Sequence, residues 1–357
     1  MHNPLLQEAT KALGTAFDRS TCQPIGHGLI HRSFCIESSH GQRVFLQQIN
    51  QQVFARPAWI TANLVEIYTA FQKKDCAQLL AKPKTFANGE WLFLDSDGQY
   101  WRSSEFIVGS TFHSAVNIQQ LGKAVKSFAG FTALLCDIDT ASLYCTLTDF
   151  HNLSLRYSQF QQATQQGDPK RTTEVAQLIE ELHKRIGYVK LYEQITASGG
   201  DFKKRVMHHD AKISNLLFDT GGQRVLAVTD LDTTMPGFFF SDLGDMIRSM
   251  AGSTSENSTM PEQAVIVPEL YETIVDTYYS GIKSALTKTE AEWLHSAGLL
   301  MIYMQTLRFL TDYLLGDPYY QTTRPGQNRD RARHQFALLR SLEQWLKMKY
   351  QFSIGQF

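Results

Sequence analysis

The chain has 357 residues, enough for two units with separate hydrophobic cores. Apolar residues make up 43% and charged residues 19%, an ordinary balance for a globular protein that folds in water. A formal net charge of −1 offers no electrostatic case for nucleic acid or an anionic membrane as partner.

Five cysteines (Cys22, Cys35, Cys76, Cys136 and Cys145) contain no CxxC pair and are odd in number, which points to a reduced compartment rather than a disulfide framework. Met1-His2-Asn3-Pro4 shows no basic region followed by an apolar core, so no signal peptide is expected. The most apolar stretch, Ala297 to Met304, is followed by Gln305, Arg308 and Asp312 and is too short and polar to span a bilayer. A cytoplasmic location is the expectation.

In chain order, Leu5, Leu6, Ala9, Leu13 and Phe17 have helical spacing and predict an N-terminal helix. From Thr21 to Ile49 the pattern turns strand-like and is punctuated by glycine, with Gly26 and Gly28 in one turn and Gly41 in the next. Such glycines let backbone amides approach phosphate oxygens, although hairpins use glycine for their own geometry as well. Val44 to Gln48 is the third strand, and Ile60 to Phe71 a helix that carries Glu66. Trp91 to Leu94 and Tyr100 to Ile107 flank Asp97-Gly98 and predict a further hairpin. Gly109-Ser110 marks a boundary, after which Ile118, Leu121, Val125, Phe128, Phe131 and Leu135 stripe a core helix. Another helix starts at Leu153, the polar run Gln161 to Lys170 reads as a loop, and Leu178 to Ile186 is helical. Beyond Met235-Pro236-Gly237, Ser241-Asp242 opens a helix, Gly252 to Met260 is a polar loop, and three helices follow over Pro261 to Ile282, Lys288 to Leu315 and Gln327 to Tyr350.

The chemistry concentrates between Val206 and Asp232. Asp210 lies in a polar loop just past a short apolar run, and Asn215 ends that loop. Leu216 to Phe218 and Val225 to Val228 predict two strands turned by Gly221-Gly222, and the second strand stops at Asp230. A hairpin of this kind brings Asn215 and Asp230 to the same end. An amide oxygen and a carboxylate converging there suit Mg²⁺, which takes few protein ligands and leaves its other positions to phosphates. Asp210 is placed to accept the proton of an attacking hydroxyl, and the three residues together make up a phosphoryl-transfer site. Asp232 stands two residues beyond Asp230 and either assists the metal or caps the next turn. His208 reads as a hydrogen-bonded support of the loop, and Asp242 and Asp245 as supports of its backbone or as plain helix-start carboxylates.

HHDAKISN resembles the HxDxxxxN catalytic loop of the aminoglycoside phosphotransferase and choline kinase superfamily, and TDLD resembles its metal-binding Asp segment. TDLDTTMPGFFFSDLGDMIRS, FLQQINQQVF, DFHNLSLRY and LRFLTDYLLGDPYY are similar to the N-acetylhexosamine 1-kinase branch. The resemblance implies an α+β, two-lobed, protein-kinase-like fold with a small antiparallel-sheet N-lobe and a larger, mostly helical C-lobe. It places residues 1–108 in the nucleotide-binding lobe and 109–357 in the catalytic and substrate lobe. It further implies ATP and Mg²⁺ as cofactors, with Gly26 and Gly28 over the phosphates and the segment of Glu105 and Ile107 as the hinge that meets adenine. Arg308, Tyr319 and His31 would contact a sugar acceptor, with an ion pair between Arg308 and Asp312 as the alternative for that arginine. Where kinases of this kind carry a phosphate-contacting lysine, this chain has Gln47 and Gln48, which can donate hydrogen bonds but cannot neutralise charge. Glu66 would be the partner of any cation there, or simply a solvated helix residue. The function implied is transfer of a γ-phosphoryl group to the anomeric hydroxyl of an N-acetylhexosamine; kinases of amino-alcohols or aminoglycosides, and a nucleotide-binding pseudokinase, are the alternatives.

Overall fold

A computed structural model describes residues 4–26 and 30–355; Gly28 lies outside them. By internal contacts the chain forms two compact units. One comprises Met1–Thr111, Leu134–Thr148 and Asn215–Pro236, and the other Phe112–Ala133, Asp149–Ser214 and Gly237–Phe357. The first unit is thus discontinuous in sequence and takes in the Asn215–Asp230 hairpin.

The first unit is built on an antiparallel sheet. Its strands are β1 (Thr21–Pro24), β2 (Arg32–Glu37), β3 (Arg43–Gln48), β4 (Pro83–Lys84), β5 (Leu92–Leu94) and β6 (Tyr100–Glu105), in the order β1-β2-β3-β6-β4 with β5 also paired to β6. Alternation along the strands aims Phe34, Ile36, Val44, Leu46 and Trp101 to one side, where they pack with Phe17, Phe86 and Ala9 of helix α1 (Pro4–Ala12). The predicted N-terminal helix stops earlier than Phe17, because Gly14 adopts φ 115° and the chain continues as a 3₁₀ turn over Thr15–Phe17. Helix α2 (Pro57–Lys73) starts on a proline, which is tolerated at the first turn, and buries Ile60, Asn63, Ile67 and Phe71. The later hairpin pairs Leu216–Phe218 with Val225–Val228, Leu216 opposite Val228. Gly109 fits the hairpin because a Cβ there would stand 2.5 Å from the Phe218 carbonyl oxygen, and Ser110 next to it exchanges two 2.8 Å backbone hydrogen bonds with Phe218.

The second unit is helical: α3 (Ile118–Leu134), α4 (Leu153–Gln166), α5 (Pro169–Glu174), α6 (Ala176–His183), α7 (Gly187–Ala197), α8 (Phe240–Met250), α9 (Pro268–Ile282), α10 (Lys288–Glu292), α11 (Ser296–Leu314) and α12 (Gln327–Tyr350), with a short strand at Arg205–Met207. The apolar run at Ala297 is the core helix α11, enclosed by α12, α8, α4 and α7. No helix among the described residues is long and apolar enough to cross a membrane. The run Gln161 to Lys170, expected as a loop, is mostly helical: α4 continues to Gln166, and Asp168 caps α5 by accepting the Arg171 amide at 2.9 Å ahead of Pro169. The helix expected from Pro261 begins only at Pro268, and the one expected from Lys288 to Leu315 is broken between Glu292 and Ser296.

Helices α8 and α11 approach closely at Gly244, where an added Cβ would lie 2.3 Å from Met301 Cγ and 2.4 Å from the Ala297 carbonyl oxygen. The carbonyl cannot move without shifting α11. Gly244→Ala is therefore expected to destabilise the protein by about 1–3 kcal/mol despite the better helix propensity of alanine, measured by chemical denaturation. An unchanged or raised midpoint would contradict this packing.

Candidate active site

The Asp210 loop belongs to the helical unit and is fixed from behind. Asp242, on the first turn of α8, is fully buried and accepts the backbone N–H of His208 at 3.0 Å and of His209 at 2.8 Å. Burial pushes the Asp242 carboxyl above its ordinary value, and the two amides act in the opposite direction. Asp242 thus supports the loop backbone, the role that competed with a plain helix-start carboxylate. His208 is buried edge-on between Phe128 and Phe131, and its Nδ1 accepts the Asp210 amide at 3.3 Å. That is a supporting position. His209 adopts φ 65° and its ring rests against Gly237, where a Cβ would lie 2.4 Å away. The strained backbone at His209 turns the chain so that Asp210 follows at the edge of the loop, half-buried, with Lys212 Nζ 2.8 Å from its Oδ2.

Asp245 stands one turn beyond Asp242. Its Oδ1 pairs with Arg248 at 2.7 Å, while its buried Oδ2 has no hydrogen-bond partner among the described residues. Burial raises its carboxyl above the usual range, against the pull of Arg248, and the negative charge of Asp210 adds to the rise. No hydrogen bond between Asp245 and the backbone of the Asp210 loop is present among the described residues, and its pairing with Arg248 is the contact that places it.

Arg308, on α11, lies over the rings of Phe150 (5.4 Å), Tyr320 (5.5 Å) and Tyr319 (6.0 Å). The alternative of an Arg308–Asp312 pair is not realised. Asp312 instead accepts the backbone N–H of Tyr319 at 2.8 Å and of Tyr320 at 2.9 Å, and so holds the aromatic turn beside Arg308. Beside the same group, His151 stacks on Phe150 and meets His209 (Nδ1 to Nδ1, 3.2 Å) and Ser241 (3.2 Å). Burial, then the nearby His209 and Arg308, push the His151 imidazole well below its ordinary value, so it is neutral near pH 7.

In the first unit, the Asn215 carbonyl accepts the Thr229 amide at 2.9 Å, which sets Asn215 beside the start of the Asp230 turn as the hairpin predicts. Asp230 is exposed and adopts φ 57°. A carboxamide and a carboxylate at one hairpin end are a donor set that fits Mg²⁺. Asp232, expected as a further metal ligand, is placed otherwise. It is buried, with its Oδ2 taking His31 Nε2 at 2.6 Å and Arg102 Nη2 at 2.8 Å, and its Oδ1 2.5 Å from Arg102 Nη1. Burial works against ionisation of Asp232, but Arg102 and His31 outweigh it and hold the carboxyl well below its usual range. Both oxygens face cationic or N–H partners of the first unit, which is the position of an anchor.

His31, expected at the acceptor, is the other half of that anchor. It is buried on Phe54, and its Nδ1 accepts the Asn50 amide at 3.0 Å, so Nε2 carries the proton that Asp232 receives. Gln47 accepts two hydrogen bonds from Arg102 (2.9 and 2.5 Å) and donates to Ser33 at 2.8 Å. The cation beside Gln47 thus comes from Arg102, its cross-strand neighbour on β6. Gln48 lies opposite Trp101 in the same register. Glu66 is exposed and meets no cation among the described residues, because the inward face of α2 is set by Ile60, Asn63 and Ile67. Gly26 takes the left-handed φ of 64° that its turn requires. Glu105 ends β6, its amide donating to the Lys82 carbonyl at 2.8 Å, and Ile107 follows in the connector to Gly109.

A family model described as the phosphotransferase enzyme family matches residues 21–278. The chain belongs to that family. Among solved structures, this phosphotransferase is similar to an aminoglycoside phosphotransferase from Alicyclobacillus acidocaldarius (15% identity, 98% of each chain covered, TM-score 0.66). It is also similar to an amicoumacin kinase solved with AMP-PNP and Ca²⁺ (14%, 100% of this chain and 96% of that one, 0.61) and to choline kinase from Cryptosporidium parvum Iowa II (11%, 96% and 94%, 0.56). These likenesses establish an α+β, protein-kinase-like fold for the phosphotransferase, with no bearing on its acceptor.

Proposed function

We propose that this phosphotransferase uses ATP and Mg²⁺ to phosphorylate a neutral sugar hydroxyl, the anomeric hydroxyl of an N-acetylhexosamine. Asp210 accepts the hydroxyl proton as the oxygen attacks the γ-phosphorus, the bond to the bridging oxygen breaks, and ADP leaves. Asn215 and Asp230 would hold Mg²⁺, which offsets the charge of the phosphate oxygens. Gly26 and Gly28 would lie over those oxygens, and the backbone around Glu105 and Ile107 would meet adenine. Domain roles follow: the first unit, with residues 1–108 as its main part, for nucleotide, and the helical unit for the acceptor.

The observation that carries the acceptor class is Arg308 in its aromatic surround, with Tyr319 beside it and the neutral His151 next to it. A guanidinium repels an ammonium group and donates to hydroxyl and carbonyl oxygens, while the rings pack against sugar carbons. Choline, amino-alcohols and aminoglycosides all carry positive charge. N-Acetylation removes it and adds an acceptor oxygen. An N-acetylhexosamine is therefore expected to give at least about tenfold higher kcat/KM than the free hexosamine, choline or an aminoglycoside, a difference of about 1.4 kcal/mol. Turnover on that panel, with phosphorus NMR of the product, tests both acceptor and position. A preference for a cationic acceptor would overturn the reading, and no nucleotide turnover on any acceptor would favour the pseudokinase.

A further inference from the structure

Asp230 holds a left-handed backbone that costs a residue with a Cβ about 1 kcal/mol or more and lies at an exposed turn. The segment that follows it is held from outside the turn. The four residues after it are tied down at three points within the first unit. The Asp232 carboxylate is gripped by Arg102 and His31, the Asp232 carbonyl accepts Thr146 Oγ1 at 2.7 Å, and the Thr234 carbonyl accepts Asn63 Nδ2 at 3.1 Å. Asn63 also exchanges hydrogen bonds with the Tyr144 backbone (2.8 and 2.9 Å), so α2 and the segment around Tyr144 share the same fastening.

Arg102 is the centre of this cage. Its Nε and Nη2 donate to Gln47, and Nη2 and Nη1 reach the two Asp232 oxygens. Three of its five N–H donors are thereby hydrogen-bonded to protein, and its charge is neutralised by the Asp232 carboxylate, with Nη1 in ion-pair contact with Oδ1. A guanidinium so committed has little left for a phosphate. We propose that Arg102, held by Gln47 and clamped onto Asp232, is a positioning residue that fixes Asp230 for metal binding. In this chain the strand position without a lysine holds the cation that orders the metal turn. The proposal rests on the kinase reading in assigning the metal to Asp230.

Three variants test it: Arg102→Gln, Arg102→Lys, and the milder Thr146→Val, which removes one hydrogen bond to the Asp232 carbonyl and leaves the ion pair. Two readouts are needed, the Mg²⁺ concentration for half-maximal turnover and, without turnover, Mn²⁺ affinity in the presence of ADP by electron paramagnetic resonance. Arg102→Gln is expected to weaken Mn²⁺ binding and raise the Mg²⁺ requirement by about 10–100-fold, as loss of a group behind a metal ligand does. Arg102→Lys should recover part of that loss, Thr146→Val should show a smaller shift of the same sign, and the acceptor KM should change less than about twofold. Unchanged metal dependence in variants that melt earlier would reduce the cage to a structural role and overturn the proposal. So would a raised ATP KM with unchanged metal dependence, which would mark Arg102 as a direct phosphate ligand. If the parent binds Mn²⁺ with ADP but turns over no acceptor, the functional reading fails while the affinities still decide the clamp. If it binds neither, both fall.

Discussion

Asp210→Asn is expected to lower kcat by about 10²–10⁴-fold, the range that removal of a positioned proton acceptor costs. The substitution keeps the size of the side chain and replaces the oxygen that takes the proton. The loop should keep its course. Its backbone is held by Asp242 at His208 and His209 and by His208 Nδ1 at Asp210 itself, and none of these bonds uses the Asp210 carboxylate. The carboxylate does lose its pairing with Lys212, but that lysine is more than a third exposed and water can solvate it, so the stability cost is small. Acceptor and nucleotide KM values should therefore change by only a few-fold while kcat falls. Steady-state kinetics and a thermal melt on the same sample separate the two effects. A rate within a few-fold of the parent would remove Asp210 from the chemistry.

The largest effect on stability is expected from Arg205→Met. Arg205 is 5% exposed and Glu290 fully buried, and the two meet at 2.6 and 2.7 Å. Arg205 also donates to the Ala285 carbonyl, while Glu290 accepts the Lys203 and Thr287 amides and closes the capping box of α10. Methionine fills much of the volume but leaves Glu290 as an uncompensated charge in the interior. Breaking a buried pair from one side costs about 3–5 kcal/mol, most of it from the abandoned partner. Chemical denaturation should show that loss. Replacing Glu290 by methionine as well should recover part of it, because no charge is then stranded. A double variant less stable than Arg205→Met would contradict the pair as the cause.

The meeting of Asn215 and Asp230 at one end of a hairpin was legible because two short apolar runs flank Gly221-Gly222, and spacing alone sets which end each residue occupies. The strands of the first unit were legible for a related reason: Phe34, Ile36, Val44 and Leu46 alternate. Arg102 and Asn63 were not, since their partners Asp232 and Thr234 lie 130 and 171 residues away in sequence. The only local sign was a polar residue in a buried phase, Asn63 between Ile60 and Ile67. By sequence Asp232 reads as a metal helper or a turn cap from its place two residues beyond Asp230, and His31 as an acceptor contact from the resemblance. Three-dimensional pairing gives them to one another instead. The capping box at Thr287 and Glu290 could have been read from its T-x-x-E spacing, although the burial of that glutamate could not.

The path of the chain through its two units has a consequence for how the protein is made. It passes between them at 111/112, 133/134, 148/149, 214/215 and 236/237. A nascent chain leaving the ribosome thus presents His31 and Arg102 well before Asp232 has been translated. Until then the half-buried Arg102 guanidinium has no counter-charge and the His31 ring lacks its acceptor. A chain truncated before Asp232 would hold the whole six-stranded sheet and its apolar core yet leave the Arg102 guanidinium without its carboxylate, an incompletely assembled unit of the kind open to off-pathway association.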